Sequence, residues 1–251
     1  MVISLIIVAI LPVVVLSVVV YRQDRFSREP VRLLAKCFFF GALSILPAAF
    51  LEAFLERFEP DIPIVNGIYT GFVVAGCCEE LCKLLMLALA VWRSSEFDEY
   101  FDGIVYACFV SLGFACIENL GYVFSQGDFY SAVHTGTVRA VLSVPAHFLF
   151  GVMMGYYFAL AKFDIRNRDK HLFRAFLVPM LMHGTFDALL MIPEGMGEAG
   201  AVVDGPLFML LVFFDIKMWR WGVRRILRLQ ELSQRQGFDR SNPFDGFTWD
   251  V

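Results

Sequence analysis

Seven blocks of apolar residues divide this 251-residue chain, each close to the ~20 residues a helix needs to cross the hydrocarbon core of a bilayer. They run at about 1–20, 36–55, 63–92, 101–124, 137–161, 171–192 and 201–219. In lipid every backbone N–H and C=O must be satisfied within the protein, which for single apolar segments of this length means α-helix. Only 18% of the residues are charged, against roughly a quarter in a soluble domain. The expected fold is therefore all-α: a polytopic membrane bundle of about seven transmembrane helices. Residues 1–221 form one membrane domain, and 222–251 form a cytoplasmic tail that begins as a basic amphipathic helix and ends as a loose dozen residues.

The basic residues alternate by loop. Arg22, Arg25, Arg28, Arg32 and Lys36 follow the first block, Arg93 the third, and Lys162, Arg166, Arg168, Lys170 and Arg174 the fifth. Lys217, Arg220, Arg224, Arg225, Arg228, Arg235 and Arg240 flank the last, while the opposite side holds Arg57 alone. Eighteen against one predicts an extracytoplasmic N-terminus and a cytoplasmic C-terminus. Charges gathered beside helix ends give no sign of nucleic-acid binding. The first block lacks a preceding positive stretch and a small-residue cleavage site, so it reads as a retained helix rather than a signal peptide. The six cysteines (Cys37, Cys77, Cys78, Cys82, Cys108, Cys116) fall inside apolar blocks and read as small buried hydrophobes. The chain is expected to be integral, multi-pass and in contact with the lipid bilayer.

A charged side chain at mid-helix depth costs roughly 2.5–3.5 kcal/mol on insertion scales, so it normally faces a protein-lined interior. Four blocks carry such residues in patterned form. The third has Glu79, Glu80 and Lys83, with Gly71, Ala75, Glu79 and Lys83 at spacing four, so Lys83 can pair with Glu79 or Glu80. The fourth begins at Asp102, which suits capping of that helix, and carries Glu118 and Asn119 below a stripe of Ser111, Ala115 and Asn119. Asn119 serves either interhelical hydrogen bonding or catalysis. The fifth presents Arg139, Ser143, His147, Gly151 and Gly155 every four residues, and the sixth places His183 one turn before Asp187. Counting ~1.5 Å per residue, this set converges in the middle to outer half of the membrane.

Glu and His remain once HExxH, GxSxG, phosphate-binding loops and cysteine-rich metal knuckles are found absent. A desolvated carboxylate suits a general base acting on water. Histidines beside it can stabilise an oxyanion, or two His and one Glu can hold a catalytic divalent metal such as zinc with a position left open. Both forms of water activation stay open. A proton- or ion-coupled transporter would use the same cluster, although the hydropathy shows no two-fold repeat. A non-catalytic scaffold locked by ion pairs is the third alternative.

The runs Glu79-Glu80-x-x-Lys83, Phe101-Asp102-Gly103-Ile104-Val105-Tyr106-Ala107 and Gly113-Phe114-Ala115-x-x-Glu118-Asn119-x-x-Tyr122, continued by His147 and His183-x-x-x-Asp187, resemble the PrsW family of intramembrane proteases over about 30–220. That family is similar to the CAAX prenyl endopeptidases and bacteriocin-processing enzymes, whose motifs are EExxxR, FxxxH and HxxxN/D. Lys83 stands one position before the expected Arg, and Ser143 where the Phe would precede His147, which favours the PrsW branch. The resemblance implies site-1 cleavage of single-span membrane proteins, typically anti-sigma factors, near the outer face of a prokaryotic cytoplasmic membrane. In the resulting assignment Glu79 and Glu80 are general base and partner, with Lys83 tuning their charge. His147 and His183 hold water, oxyanion or metal, with Glu80 as the third metal ligand. Asp187 orients His183, and Glu118, Asn119 and Arg139 complete the pocket.

Overall fold

A computed structural model describes residues 1–24 and 28–241. Arg25, the side chain of Arg240 and the loose end of the tail lie outside the described residues. Among those described the chain is helical and contains no strand. The helices are α1 (Val2–Gln23), α2 (Val31–Leu55), α3 (Pro63–Tyr69), α4 (Cys78–Val91), α5 (Asp102–Phe124), α6 (Phe129–Val141), α7 (Ser143–Phe163), α8 (Arg168–Gly195) and α9 (Gly200–Ser241). A π-helical stretch, Thr70–Cys77, joins α3 to α4, so 63–91 is one continuous rod.

Among the described residues, six stretches are long and apolar enough to cross a membrane: Val2–Gln23, Val31–Phe58, Asp102–Phe124, Phe129–Phe163, Ile165–Gly195 and Gly197–Gly237. The third expected block is the rod 63–91, whose α-helical turns are interrupted by the π stretch. At the centre lies α5, buried over most of its length and packed between α7 and α2. The rod is held against α8 through its π stretch and against α2 through α4. Helices α2 and α5 approach at glycines: a Cβ at Gly41 would lie 1.9 Å from the Val110 carbonyl oxygen, and one at Gly113 would lie 2.0 Å from that of Phe38. Close backbone contact of this kind drives helix association where lipid offers no hydrophobic gain.

Helix α4 ends by handing two carbonyls to lysines of its neighbours. Lys36 Nζ donates to Ala90 O and Lys162 Nζ to Trp92 O, each at 2.8 Å. Cations at a helix C-terminus meet the negative end of its dipole. All six cysteines are free; five are buried and Cys77 is half-buried. An open cleft of about 460 Å³ separates α8 from α9, lined by Thr185, Leu189, Leu210, Phe214, Lys217 and Trp221 among others.

Two local expectations are corrected. The fifth block is two helices, broken at Leu142 (φ −109, ψ −66). Pro145 has no N–H for the Val141 carbonyl, so it is accommodated in the first turn of a new helix rather than inside an old one. Arg139 therefore belongs to α6, separate from the Ser143–His147–Gly151–Gly155 face of α7. Helix α6 itself starts inside the expected loop, capped by Asp128 Oδ1, which accepts from Tyr130 N at 2.9 Å and Ser131 N at 3.1 Å. The second correction concerns Asp102, which does not cap α5: its Oδ2 accepts from Asp98 N at 3.1 Å and Glu99 N at 2.7 Å, fastening the preceding turn.

That turn forms part of a polar knot at one end of the bundle. The Glu29 carboxylate accepts from the Tyr106 hydroxyl, Glu29 N donates to Asp24 Oδ2 at 3.0 Å, and the lower part of α9 closes over the knot. Phe101 N donates to Ser233 Oγ at 2.8 Å, and Gln236 Nε2 donates to Asp98 O and Gln230 Nε2 to Gln23 O, both at 2.9 Å. Burial pushes the Glu29 carboxyl up from 4.5 to about 7. The folded protein thus keeps a proton that the unfolded chain has released, and stability falls as pH rises from about 4.5 to 7, then levels. We expect the melting temperature in detergent to drop between pH 5.5 and pH 8, and Glu29→Gln to remove about 1–3 kcal/mol of that loss. A pH profile unchanged by the substitution would discard this assignment.

Candidate active site

The π stretch ends at Cys77, two residues before Glu79, and the register it leaves governs where the acids point. A π-helix takes more than four residues per turn and often occurs at functional sites, so the spacing-four stripe expected from Gly71 to Lys83 is not maintained through 70–77. Gly71 faces the backbone of Gly184 and Ala188 on α8, while Glu79, Glu80 and Lys83, on regular α4, turn together into the bundle. All three are buried, at 6%, 0% and 0% exposure. Lys83 pairs with both carboxylates: Nζ lies 3.0 Å from Glu79 Oε2 and 2.8 Å from Glu80 Oε1.

Helix α7 adds His147 to the same point. Its Nδ1 is 3.2 Å from Lys83 Nζ and its Nε2 is 2.8 Å from Glu118 Oε2 on α5. An ammonium can only donate, so Nδ1 of His147 accepts and Nε2 carries the proton given to Glu118. Helix α8 supplies His183, whose Nδ1 is 2.9 Å from Glu80 Oε1 and whose Nε2 is 3.2 Å from Asp187 Oδ2. Each nitrogen of His183 thus has a carboxylate acceptor, the arrangement by which an outer carboxylate fixes the orientation of a functional imidazole. The two histidine rings lie edge to face at 5.2 Å, and Phe150 stacks on His183 at 4.7 Å.

A second tier holds the first. Arg139 Nη2 is 2.7 Å from Glu118 Oε2, and Arg139 Nε donates to Asn119 Oδ1 at 2.9 Å. Asn119 spends its amide on Ala9 O of α1, at 2.8 Å, so its contacts are interhelical. Ser111 Oγ donates to the His147 carbonyl at 2.6 Å and fixes α7 against α5. Glu79, Glu80, Lys83, His147, His183, Glu118 and Asp187 are thus brought together, Arg139 reaches them from α6, and Asn119 stands one bond further out.

Sequence reasoning assigned no part to Phe114, whose ring centroid lies 4.1 Å from Lys83 Nζ. Nor did it assign one to Glu52 of α2, which lies within electrostatic reach of Lys83, His183 and Glu118 and has one buried oxygen without a hydrogen-bond partner. An acid in an apolar block was the signal that marked Glu118, and it applies to Glu52; position near the end of the block, where a charge costs little, hid it.

Chemically the centre gathers two carboxylates and two imidazoles, with one ligand-type atom from each of Glu79, Glu80, His147 and His183 within 4.8 Å of the others. Glu80 Oε2 is buried and has no hydrogen-bond partner. This donor set fits a divalent transition ion, since imidazole and carboxylate are the ligands of catalytic zinc sites.

A sequence profile described as PrsW family intramembrane metalloprotease matches residues 29–216. The chain is 36% identical over 237 residues to Protease PrsW of Clostridioides difficile strain 630, covering 94% of this chain and 95% of that protein. Protease PrsW of Geobacillus kaustophilus strain HTA426 is 37% identical over 77% of this chain and 83% of its own length. The Bacillus subtilis strain 168 protein of the same name is 32% identical over 86% of this chain and 91% of its own. No solved structure matches.

Proposed function

From the premise that this chain belongs to the PrsW family of intramembrane metalloproteases, we propose that Glu79, Glu80, His147 and His183 carry out hydrolysis of a peptide bond in single-span membrane proteins of the anti-sigma-factor kind, near the outer face of the bilayer. The chain is a multi-pass membrane protease. The observation that carries the reading is the convergence, inside the bundle, of two acids and two histidines within 4.8 Å. Eighteen basic residues on one side against one on the other support seven crossings with the N-terminus outside. They also support a membrane-embedded protease domain over 1–221 and a cytoplasmic remainder over 222–251. The bacterial relatives support a prokaryotic cytoplasmic membrane.

In this reading Glu80 is the general base. Its Oε1 is anchored by Lys83 and His183, leaving Oε2 to take a proton from water. Glu79 shares the Lys83 charge and keeps the ammonium between the two acids. His147, its Nε2–H donated to Glu118, whose carboxylate Arg139 also pairs, presents the acceptor Nδ1 to the centre, where it can hold the attacking water or a metal. Asp187 holds His183 in place. A divalent metal held by Glu79, Glu80, His147 and His183 would take the place of the Lys83 contacts and would supply a water made acidic enough to attack at neutral pH. The surrounding apolar helices exclude bulk water, which strengthens each of these charge interactions.

The test is cleavage of a labelled single-span protein by purified enzyme in proteoliposomes, with the product masses locating the cut. We expect a cut in the outer part of the substrate's span; a cut in its cytoplasmic half would overturn the outer-face placement. Asp187→Asn keeps an acceptor for His183 and should lower kcat/KM by about 10–100-fold, as replacement of carboxylates behind functional histidines does. Unchanged kinetics in a folded variant would remove Asp187 from the site.

A further inference from the structure

We propose that the Lys83 ammonium is a built-in occupant of the metal position, so that Lys83 and a divalent ion bind the Glu/His centre in competition. The inference rests on the reading of that centre as the metal-holding site. Three of its four donors do not point at empty space: Glu79 Oε2, Glu80 Oε1 and His147 Nδ1 converge on Lys83 Nζ at 3.0, 2.8 and 3.2 Å. Phe114 offers its ring face 4.1 Å from the same nitrogen. Lys83 is fully buried, and its side chain spans one turn of α4 back to the two acids that precede it. The donors therefore surround a cation that the chain itself supplies.

Physical chemistry makes the two cations exclusive. The lone pair of His147 Nδ1 can be given to a metal or accept from the ammonium, but not both at once. A divalent ion within reach of the four ligand atoms would lie only a few ångströms from a positive charge in a low-dielectric interior, where like charges repel strongly. Occupation by metal thus requires Nζ to leave, and the ammonium is released toward Phe114 or the remaining carboxylate oxygens. Without metal, Lys83 balances two buried acids that would otherwise each carry a large desolvation cost. The centre is in this way held together in the absence of metal, at the expense of metal affinity.

The full chain in detergent micelles, titrated with zinc alone, tests this. We expect Lys83→Met to bind one zinc at least tenfold more tightly than wild type, read by calorimetry and by metal content after gel filtration. Equal or weaker binding by the folded variant overturns the competition while leaving the metal site standing. Zinc bound by neither protein takes down the metal reading as well. A second measurement needs no variant: wild-type protein is treated with a small amine-reactive imidoester with and without zinc, and modification at Lys83 is quantified by mass spectrometry. Zinc should raise it several-fold, because Nζ is expelled from its three partners; protection or no change by saturating zinc overturns the proposal.

Discussion

Glu80→Gln is expected to lower the rate of single-span substrate cleavage by about 10²–10⁴-fold, the usual contribution of a positioned general base, while the protein still folds. The substitution preserves shape. Its amide oxygen can keep the place of Oε1 between Lys83 at 2.8 Å and His183 at 2.9 Å. The amide nitrogen then stands where Oε2 was, and an acceptor with no hydrogen-bond partner becomes a donor that takes no proton from water. Glu79→Gln should cost less, because Glu79 meets Lys83 at 3.0 Å and His183 only at 3.9 Å. Initial rates per folded molecule, with foldedness from the thermal transition in micelles, separate chemistry from stability. A Glu80→Gln enzyme that keeps more than a tenth of wild-type activity would reduce Glu80 to one half of an ion pair.

The second large effect is on assembly. Gly41→Ala or Gly113→Ala should each destabilise the bundle by about 3 kcal/mol or more, at or above the upper end for overpacked sites. The added carbon would sit 1.9 Å from Val110 O in one case and 2.0 Å from Phe38 O in the other. Both obstacles are backbone, so relief means moving α2 from α5. Activity should fall further than stability alone dictates, since Phe114, next to Gly113, lies against Lys83. Gly121→Ala, on the same α5 with nothing within 4 Å of the new carbon, is the matched control and should melt like wild type. If all three variants melt alike, close α2–α5 packing is not what holds the bundle.

The sequence exposed the all-helical, membrane-type architecture because apolar length is a local property, and it exposed the Glu80–Lys83 and His183–Asp187 pairs because both partners share one helix. What it hid depends on rotation about helix axes. Whether His147 meets Lys83 or lipid is decided by how α7 turns against α4, and no spacing within α7 states that angle. The π stretch was hidden for a related reason: Thr70–Cys77 has ordinary apolar residues, and only the backbone hydrogen-bonding distinguishes it from α-helix. The break at Leu142 was legible in principle, since Pro145 announces a helix start, but the stripe through Arg139 and His147 spoke louder. Asp102 looked like a cap for the helix it begins, and instead serves the turn before it, because the backbone N–H groups of Asp98 and Glu99 lie on that side of the buried carboxylate.

Helix α9 runs 42 residues without a break, about 60 Å at 1.5 Å per residue, roughly twice the ~30 Å hydrocarbon core. It is hydrogen-bonded near one end through Gln230, Ser233 and Gln236, packs on α7 and α8, and with α8 borders the cleft beside Thr185. A tilt of five degrees about those anchors carries a point 30 Å away sideways by roughly 3 Å, nearly the width of a methylene chain. Small tilts about those hydrogen bonds would therefore widen or narrow the cleft between α8 and α9.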